Sequence, residues 1–203
     1  ATLEQARGAV RYYRGEKGEM CKKHLKDKSH MNKKLPIPKM PESASEPKSI
    51  YTVPKANNNI LVISDLHIPY HDITALDLAI QYGKSQQVDT IYLNGDVVDF
   101  YAISQHQKDA RLRPTMKEEL ELAREFFDYL RQEFPTQSIY FKPGNHEHRL
   151  ERYLILKAPE LLDCEEFQLK ILLRLEEYKI IFINRRTKTY FGHLLVEHGR
   201  SEE

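Results

Sequence analysis

Four short clusters of oxygen- and nitrogen-bearing side chains punctuate the later part of the sequence: Asp65-Leu66-His67, Gly95-Asp96-Val97-Val98-Asp99, Gly144-Asn145-His146-Glu147 and Glu197-His198-Gly199. Carboxylate, imidazole and amide ligands in one mixture suit borderline divalent metals such as Mn²⁺, Fe²⁺ or Zn²⁺ better than Ca²⁺ or copper. Asp65 and His67, two apart on a turn, can face one ion, and a central carboxylate such as Asp96 can bridge two. Gly95 and Gly144 allow tight turns and close backbone approach directly after a strand. Two ions ~4 Å apart clamp a phosphoryl group, activate a bridging water and stabilise both the entering and the leaving oxygen.

The elements that must deliver these ligands are legible around them. Residues 60–64 (ILVIS) form a short apolar run of the kind that makes a strand buried on both faces, and 89–94 (DTIYLN) and 138–142 (SIYFK) read as second and third strands. Between them, 73–86 has helical spacing through Leu76, Ala79, Ile80 and Gly83. Residues 115–134 form the strongest helix, with Met116, Leu120, Ala123, Phe127 and Leu130 as a core stripe and Pro135 as its stop. Helices over 147–157 and 165–176 follow, then strands at 178–183 and 189–197, read as a hairpin joined across 184–188. Strands alternating with helices predict a layered α/β fold with a largely parallel sheet. In such sheets the chemistry sits on loops beyond the carboxyl ends of the strands, where the first three clusters fall.

Composition bounds the alternatives. With 203 residues, 40% hydrophobic and 30% charged, the chain is globular, one domain plus about fifty spare residues, and not wholly disordered. No stretch approaches the ~20 apolar residues of a membrane span, and no signal-peptide core opens the chain. Cys21 and Cys164 form neither a CxxC nor a Cys/His cluster, which argues against a disulfide framework or structural zinc and predicts a cytoplasmic setting. The net charge of +1 averages two unlike halves: residues 1–59 carry thirteen Lys/Arg against six Asp/Glu (+7), and the remainder eighteen against twenty-four (−6). Residues 1–34 read as a basic arm, 35–57 as a linker rich in Pro, Ser and Asn, and 58–203 as the catalytic domain. A helix is expected over 3–13 behind Thr2, either half of a helix-turn-helix or a lone helix stopped at Gly15. The arm suggests an anionic partner such as nucleic acid.

In order, the series DxH, GDxxD, GNHE and HG resembles the calcineurin-like metallophosphoesterases over roughly residues 60–199. The resemblance implies two divalent ions. Asp65 and His67 would hold the first, Asp96 would bridge both, and Asn145 and His198 would hold the second. It also implies that His146 stands by the scissile phosphate as general acid or orienting group, with Asp99 as the carboxylate that orients it. The implied reaction is hydrolysis of a phosphomonoester or phosphodiester by metal-activated water, without a covalent intermediate, on a nucleic acid or nucleotide by preference.

The family usually closes with GHxH, whereas this chain ends four residues past Gly199, and Leu195 stands where a second His would follow Gly192-His193. The expectation is therefore a fold truncated at its C-terminus. The rival reading is a catalytically impaired metal- or nucleic-acid-binding protein that keeps the fold. Outside the motifs, His24, His30, His71 and His106 read as solvated, His193 as a structural strand residue and Glu197 as a strand-end charge. His148 and Arg149 read equally as a phosphate entrance or as a surface helix start, and Arg111 and Arg113 as substrate contacts from the loop before residue 115.

Overall fold

The computed structural model describes residues 2–13, 49–54, 59–105 and 114–199. The chain divides into two units, residues 1–46 and 47–203, the first described only over its opening helix. That helix, α1 (Leu3–Tyr13), begins where the Thr2 amide donates to Gln5 Oε1 at 2.9 Å and places Arg11 in its last turn.

The second unit is a layered α/β structure. Strands β2 (Ile60–Ile63), β3 (Thr90–Asn94), β4 (Ser138–Lys142) and β5 (Ile180–Phe182) make a four-stranded, wholly parallel sheet in that order. The crossovers carry α2 (Ile73–Ser85) between β2 and β3, and α3 (Met116–Glu133) between β3 and β4. Helix α4 (His148–Lys157) follows β4. The Asp72 side chain caps α2 by accepting from Ala75 N, and Thr115 and Glu118 form a reciprocal capping box at the start of α3. The core stripe of α3 (Leu120, Ala123, Phe126, Phe127 and Leu130) packs with Ile91, Leu93, Ile139 and Phe141 of the central strands. On the other face of the sheet, Tyr92, Tyr140 and Ile183 pack with Val53, Tyr51 and Phe191. Tyr51 and Phe191 belong to a second, three-stranded sheet, β1 (Ile50–Thr52), β6 (Lys188–Phe191) and β7 (Leu194–Val196), with β1 parallel to β6 and β7 antiparallel to it, and Val53 directly follows β1. Among the described residues, no helix is long and apolar enough to cross a membrane.

Four features differ from the sequence reading. Strand β2 is, among the described residues, the edge strand of its sheet and only half covered: Leu61 packs on α2 at Gly83, whereas Val62 is 47% exposed. The hairpin expected between 178–183 and 189–197 does not form: β5 joins the parallel sheet beside β4, and the hairpin lies within 189–197, where Gly192 takes φ +60. His193 is consequently an exposed turn residue rather than a strand residue. The helix expected over 165–176 is a 3-10 turn (Glu165–Phe167) followed by a single turn, α5 (Leu169–Leu172). It stops because Arg174 takes φ +52 and Leu175 N reaches back to Lys170 O, which lets Leu173 and Leu175 both enter the core. Finally, β1 lies inside the stretch read as linker, three residues between Pro47 and Pro54 that stay extended and pair at a sheet edge.

Candidate metal centre

Because β2, β3 and β4 are parallel neighbours, their carboxyl ends open on one edge. The first two loops are then zipped together beyond the sheet: Asp65 N donates to Gly95 O (3.1 Å), His67 N to Asp96 O (2.9 Å), Ile68 N to Val97 O (2.9 Å) and Asp99 N to Ile68 O (3.0 Å). Three of the motif residues, Asp65 (φ 58), His67 (φ 51) and Asp96 (φ 53), sit in the left-handed region. Each such residue costs of order 1–3 kcal/mol and persists where its surroundings over-determine it. The motif glycines are required by proximity. A Cβ on Gly95 would meet the His198 ring at 2.7 Å, and one on Gly144 would meet Asp96 N at 2.7 Å.

One buried carboxylate locks the second and third loops to each other. Glu147, 2% exposed, accepts from Val97 N (2.7 Å) and Val98 N (2.9 Å) on Oε1, and from Asp96 N (2.9 Å) and Gly144 N (2.8 Å) on Oε2. Burial pushes its pKa up, and the backbone donors pull against that. Four N–H donors fill the acceptor positions of an ionised carboxylate and leave no place for a proton, so we take Glu147 to be charged.

Around this frame the side chains fall into two groups. In the first, donor atoms of Asp65, Asp96 and His198 lie within 4.8 Å of one another. His198 Nδ1 sits 2.7 Å from Asn94 O, a carbonyl that can only accept, so that nitrogen carries the proton. In the neutral ring Nε2 then presents a lone pair to Asp96 Oδ2 at 3.2 Å and Asn145 Oδ1 at 3.1 Å. Three acceptors converge with no hydrogen between them, the arrangement a cation resolves. The carboxylate, imidazole and amide set fits a borderline divalent ion.

The second group is His67, Asp99 and His146, again with donor atoms within 4.8 Å. Asp99 Oδ2 lies 3.2 Å from His67 Nδ1 and 3.4 Å from His146 Nδ1, and the two imidazoles meet edge to face at 4.3 Å between centroids. His146 N donates to Asp96 Oδ1 at 2.8 Å, which joins the groups. Arg149 donates to Asp99 O (2.8 Å) and Oδ1 (3.1 Å), and its other terminal nitrogen lies 3.1 Å from His146 Nε2. Burial alone would raise the Asp99 pKa, but the neighbouring His146, Arg149 and His67 outweigh it and hold the carboxyl below its ordinary value. For His146, burial disfavours the proton, yet Asp99 and Asp96 prevail over it and over Arg149, and its pKa rises.

Asp65, His67, Asp96, Asp99, Asn145, His146 and His198 therefore all gather at one sheet edge, although His67 faces Asp99 rather than sharing a group with Asp65, whose Oδ1 lies 4.0 Å from His67 Nε2. Arg149 turns inward onto Asp99 and His146, while His148, also partly buried, pairs with Glu151 at 3.3 Å. Glu197 is exposed, and its carbonyl accepts from Asn94 Nδ2 at 3.4 Å. His71 is half-buried rather than solvated. Arg111, Arg113, His24, His30 and His106 lie outside the described residues. Sequence reasoning left Glu147 without a role. The signal was its place as the last turn residue before a helix, where a side chain can fold back on its own loop.

A family model described as calcineurin-like phosphoesterase matches residues 59–201. The Gene 54 protein of Mycobacterium phage L5 is 29% identical over 131 residues, which is 61% of this chain and 50% of that protein. The chain thus spans half the length of this relative.

Proposed function

The chain belongs to the calcineurin-like phosphoesterase family, and on that premise we propose that it hydrolyses a phosphomonoester or phosphodiester with the help of two divalent ions, Mn²⁺, Fe²⁺ or Zn²⁺. Asp65, His67, Asp96, Asn145 and His198 are the residues that would hold them, Asp96 between the two. When bound, such ions polarise the phosphoryl oxygens and lower the pKa of a water enough to make it a nucleophile near neutral pH.

The chain's own residues do the rest. Asp99 holds His146 through Nδ1, which leaves Nε2 facing the site to orient the leaving oxygen, or to hand it a proton once Arg149, which can only donate, gives up its contact with that nitrogen. Arg149 touches that same Nε2 and, anchored by Asp99, keeps further guanidinium hydrogens for a phosphoryl oxygen. A basic arm over residues 1–34, a linker from 35 to the second unit, which begins at 47 and includes β1, and a cytoplasmic setting complete the reading.

The observation that carries it is the meeting of Asp96 Oδ2, Asn145 Oδ1 and His198 Nε2 around one point, 3.2 and 3.1 Å from the imidazole nitrogen. Replacing Asp96 with Asn tests it. With Mn²⁺ and bis(p-nitrophenyl) phosphate, kcat is expected to fall by more than about 100-fold, beyond the loss typical of outer partners, and bound Mn²⁺ should fall with it. An Asp96→Asn protein with full activity and full metal content would sink the proposal.

A further inference from the structure

Beside the centre lies a cluster of positive charge that its chemistry does not use. Strands β4 and β5 are parallel neighbours, Phe141 opposite Phe182, so the loops that follow them leave the sheet at the same edge. They are also tied together: Ile183 N donates to Phe141 O at 2.9 Å, and the buried Lys142 Nζ donates to Thr187 O at 2.8 Å. The loop after β4 runs through Asn145 and His146 into α4. The loop after β5 is closed by Asn184, whose side chain accepts from Arg186 N (3.0 Å) and whose carbonyl accepts from Thr187 N (2.9 Å), and it presents Arg185 and Arg186 as exposed residues. On α4, His148 and Arg152 stand four apart and share a face. Besides burial, Arg185, Arg152 and Arg186 each disfavour the proton on His148, which Glu151 alone among the named neighbours favours. The fields of three guanidiniums thus reach one imidazole, two residues from His146, and the shared sheet edge is what brings their loops together. Arg149, the next residue, points from this ledge into the centre.

We propose that His148, Arg152, Arg185 and Arg186 form a ledge for the phosphates that flank the scissile one, and that the ligand is a nucleic-acid strand. The inference rests on the phosphoesterase reading of the adjacent centre. Positive groups gathered at one rim attract an anion, and the ledge lies beside the acidic centre of Asp65, Asp96 and Asp99, so a ligand that occupies both must carry more than one negative group. A small monoester places its one phosphate at the centre and leaves the ledge empty, and a phosphopeptide offers the ledge only the acidic side chains its own sequence supplies, at no fixed spacing. A phosphodiester strand brings a charge at every link.

The test uses the full chain, a fluorescein-labelled single-stranded oligonucleotide read by anisotropy across a salt series, and bis(p-nitrophenyl) phosphate hydrolysis with Mn²⁺. In Arg185→Ala/Arg186→Ala, the slope of log affinity against log salt should lessen by about 1.4, at roughly 0.7 for each phosphate of a single strand that is no longer neutralised. Oligonucleotide affinity at low salt should fall about tenfold more than kcat/KM for the small diester. Arg185→Lys/Arg186→Lys, which keeps the charge, should restore the slope. An unchanged slope, equal losses on both ligands, or competition by inositol hexakisphosphate stronger than by unlabelled oligonucleotide of equal phosphate number overturns the ledge. A wild-type chain that leaves the small diester intact, yet loses salt-dependent oligonucleotide binding with the double substitution, refutes the phosphoesterase reading and keeps the ledge.

Discussion

Glu147 belongs to neither of the two candidate metal groups, yet four backbone N–H groups of the GDxxD and GNHE turns end on its carboxylate. Its charge is thereby spent on geometry: it fixes Asp96 against Gly144, and so against Asn145 and His146. A glutamine there keeps the shape but turns one oxygen into an amide donor that faces two N–H donors. Each buried group left unpaired costs about 1–3 kcal/mol. Glu147→Gln is therefore expected to lose roughly 2–5 kcal/mol in urea unfolding and, at temperatures where it stays folded, about 10- to 100-fold in Mn²⁺ affinity by calorimetric titration. A loss of stability with full metal affinity would reduce Glu147 to a fold residue. At this scale the sequence discloses ligands better than their supports. Asp65, Asp96, Asn145 and His198 are conspicuous because metal chemistry restricts residue type. Glu147 and Arg149 act through backbone atoms and a neighbour's ring, and nothing in their identity announces those partners.

Among the elements, α3 does more than fill the core. Its capped first turn drives Glu119 beneath the turn that follows Asp99, where the carboxylate accepts from Ala102 N at 3.1 Å and is 0% exposed. Burial pushes this carboxyl from 4.5 up to about 7, with Asp99 adding to the shift. The folded chain then holds a proton that the unfolded chain releases near 4.5. The stability from this group is complete below that value and is lost as pH rises through about 7. Glu119→Gln keeps an acceptor for Ala102 and cannot ionise. Its advantage over the wild type should be small at pH 4.5 and approach about 3 kcal/mol at pH 8, at 1.36 kcal/mol per unit. Urea unfolding at both pH values decides it, and an equal effect at both would show that Glu119 titrates normally. The elements were legible where one physical cause dominates. β3 and β4 are central and buried, so their apolar runs read directly, and the long stripe of α3 ends at a proline. Legibility failed where pairing decides. β1 has three residues, β5 chooses β4 over β6, and a left-handed Arg174 breaks a sequence whose leucines suit a longer helix.

Across the whole chain, the near-zero net charge conceals a +7 segment over residues 1–59 and a −6 remainder. The remainder would repel a polyanion from the edge where the phosphoryl chemistry is proposed. The two proposed divalent ions would add four positive charges there and bring its formal charge from −6 to −2, while the N-terminal segment stays at +7. On the proposed reading, metal loading should therefore recruit a nucleic-acid strand as well as act on it. In anisotropy titrations the wild-type chain is expected to bind a single-stranded oligonucleotide several-fold more weakly in EDTA than in Mn²⁺ at roughly 50 mM salt. The gap should close as salt approaches about 1 M, where screening contracts to ~3 Å. Asp96→Asn, deprived of its metal, should show the weak affinity in both conditions and so separate bound metal from free Mn²⁺ acting on the strand itself. Equal affinity of the wild type with and without chelator would mean that the N-terminal segment and the ledge bind the strand by themselves and that the metal centre serves turnover alone.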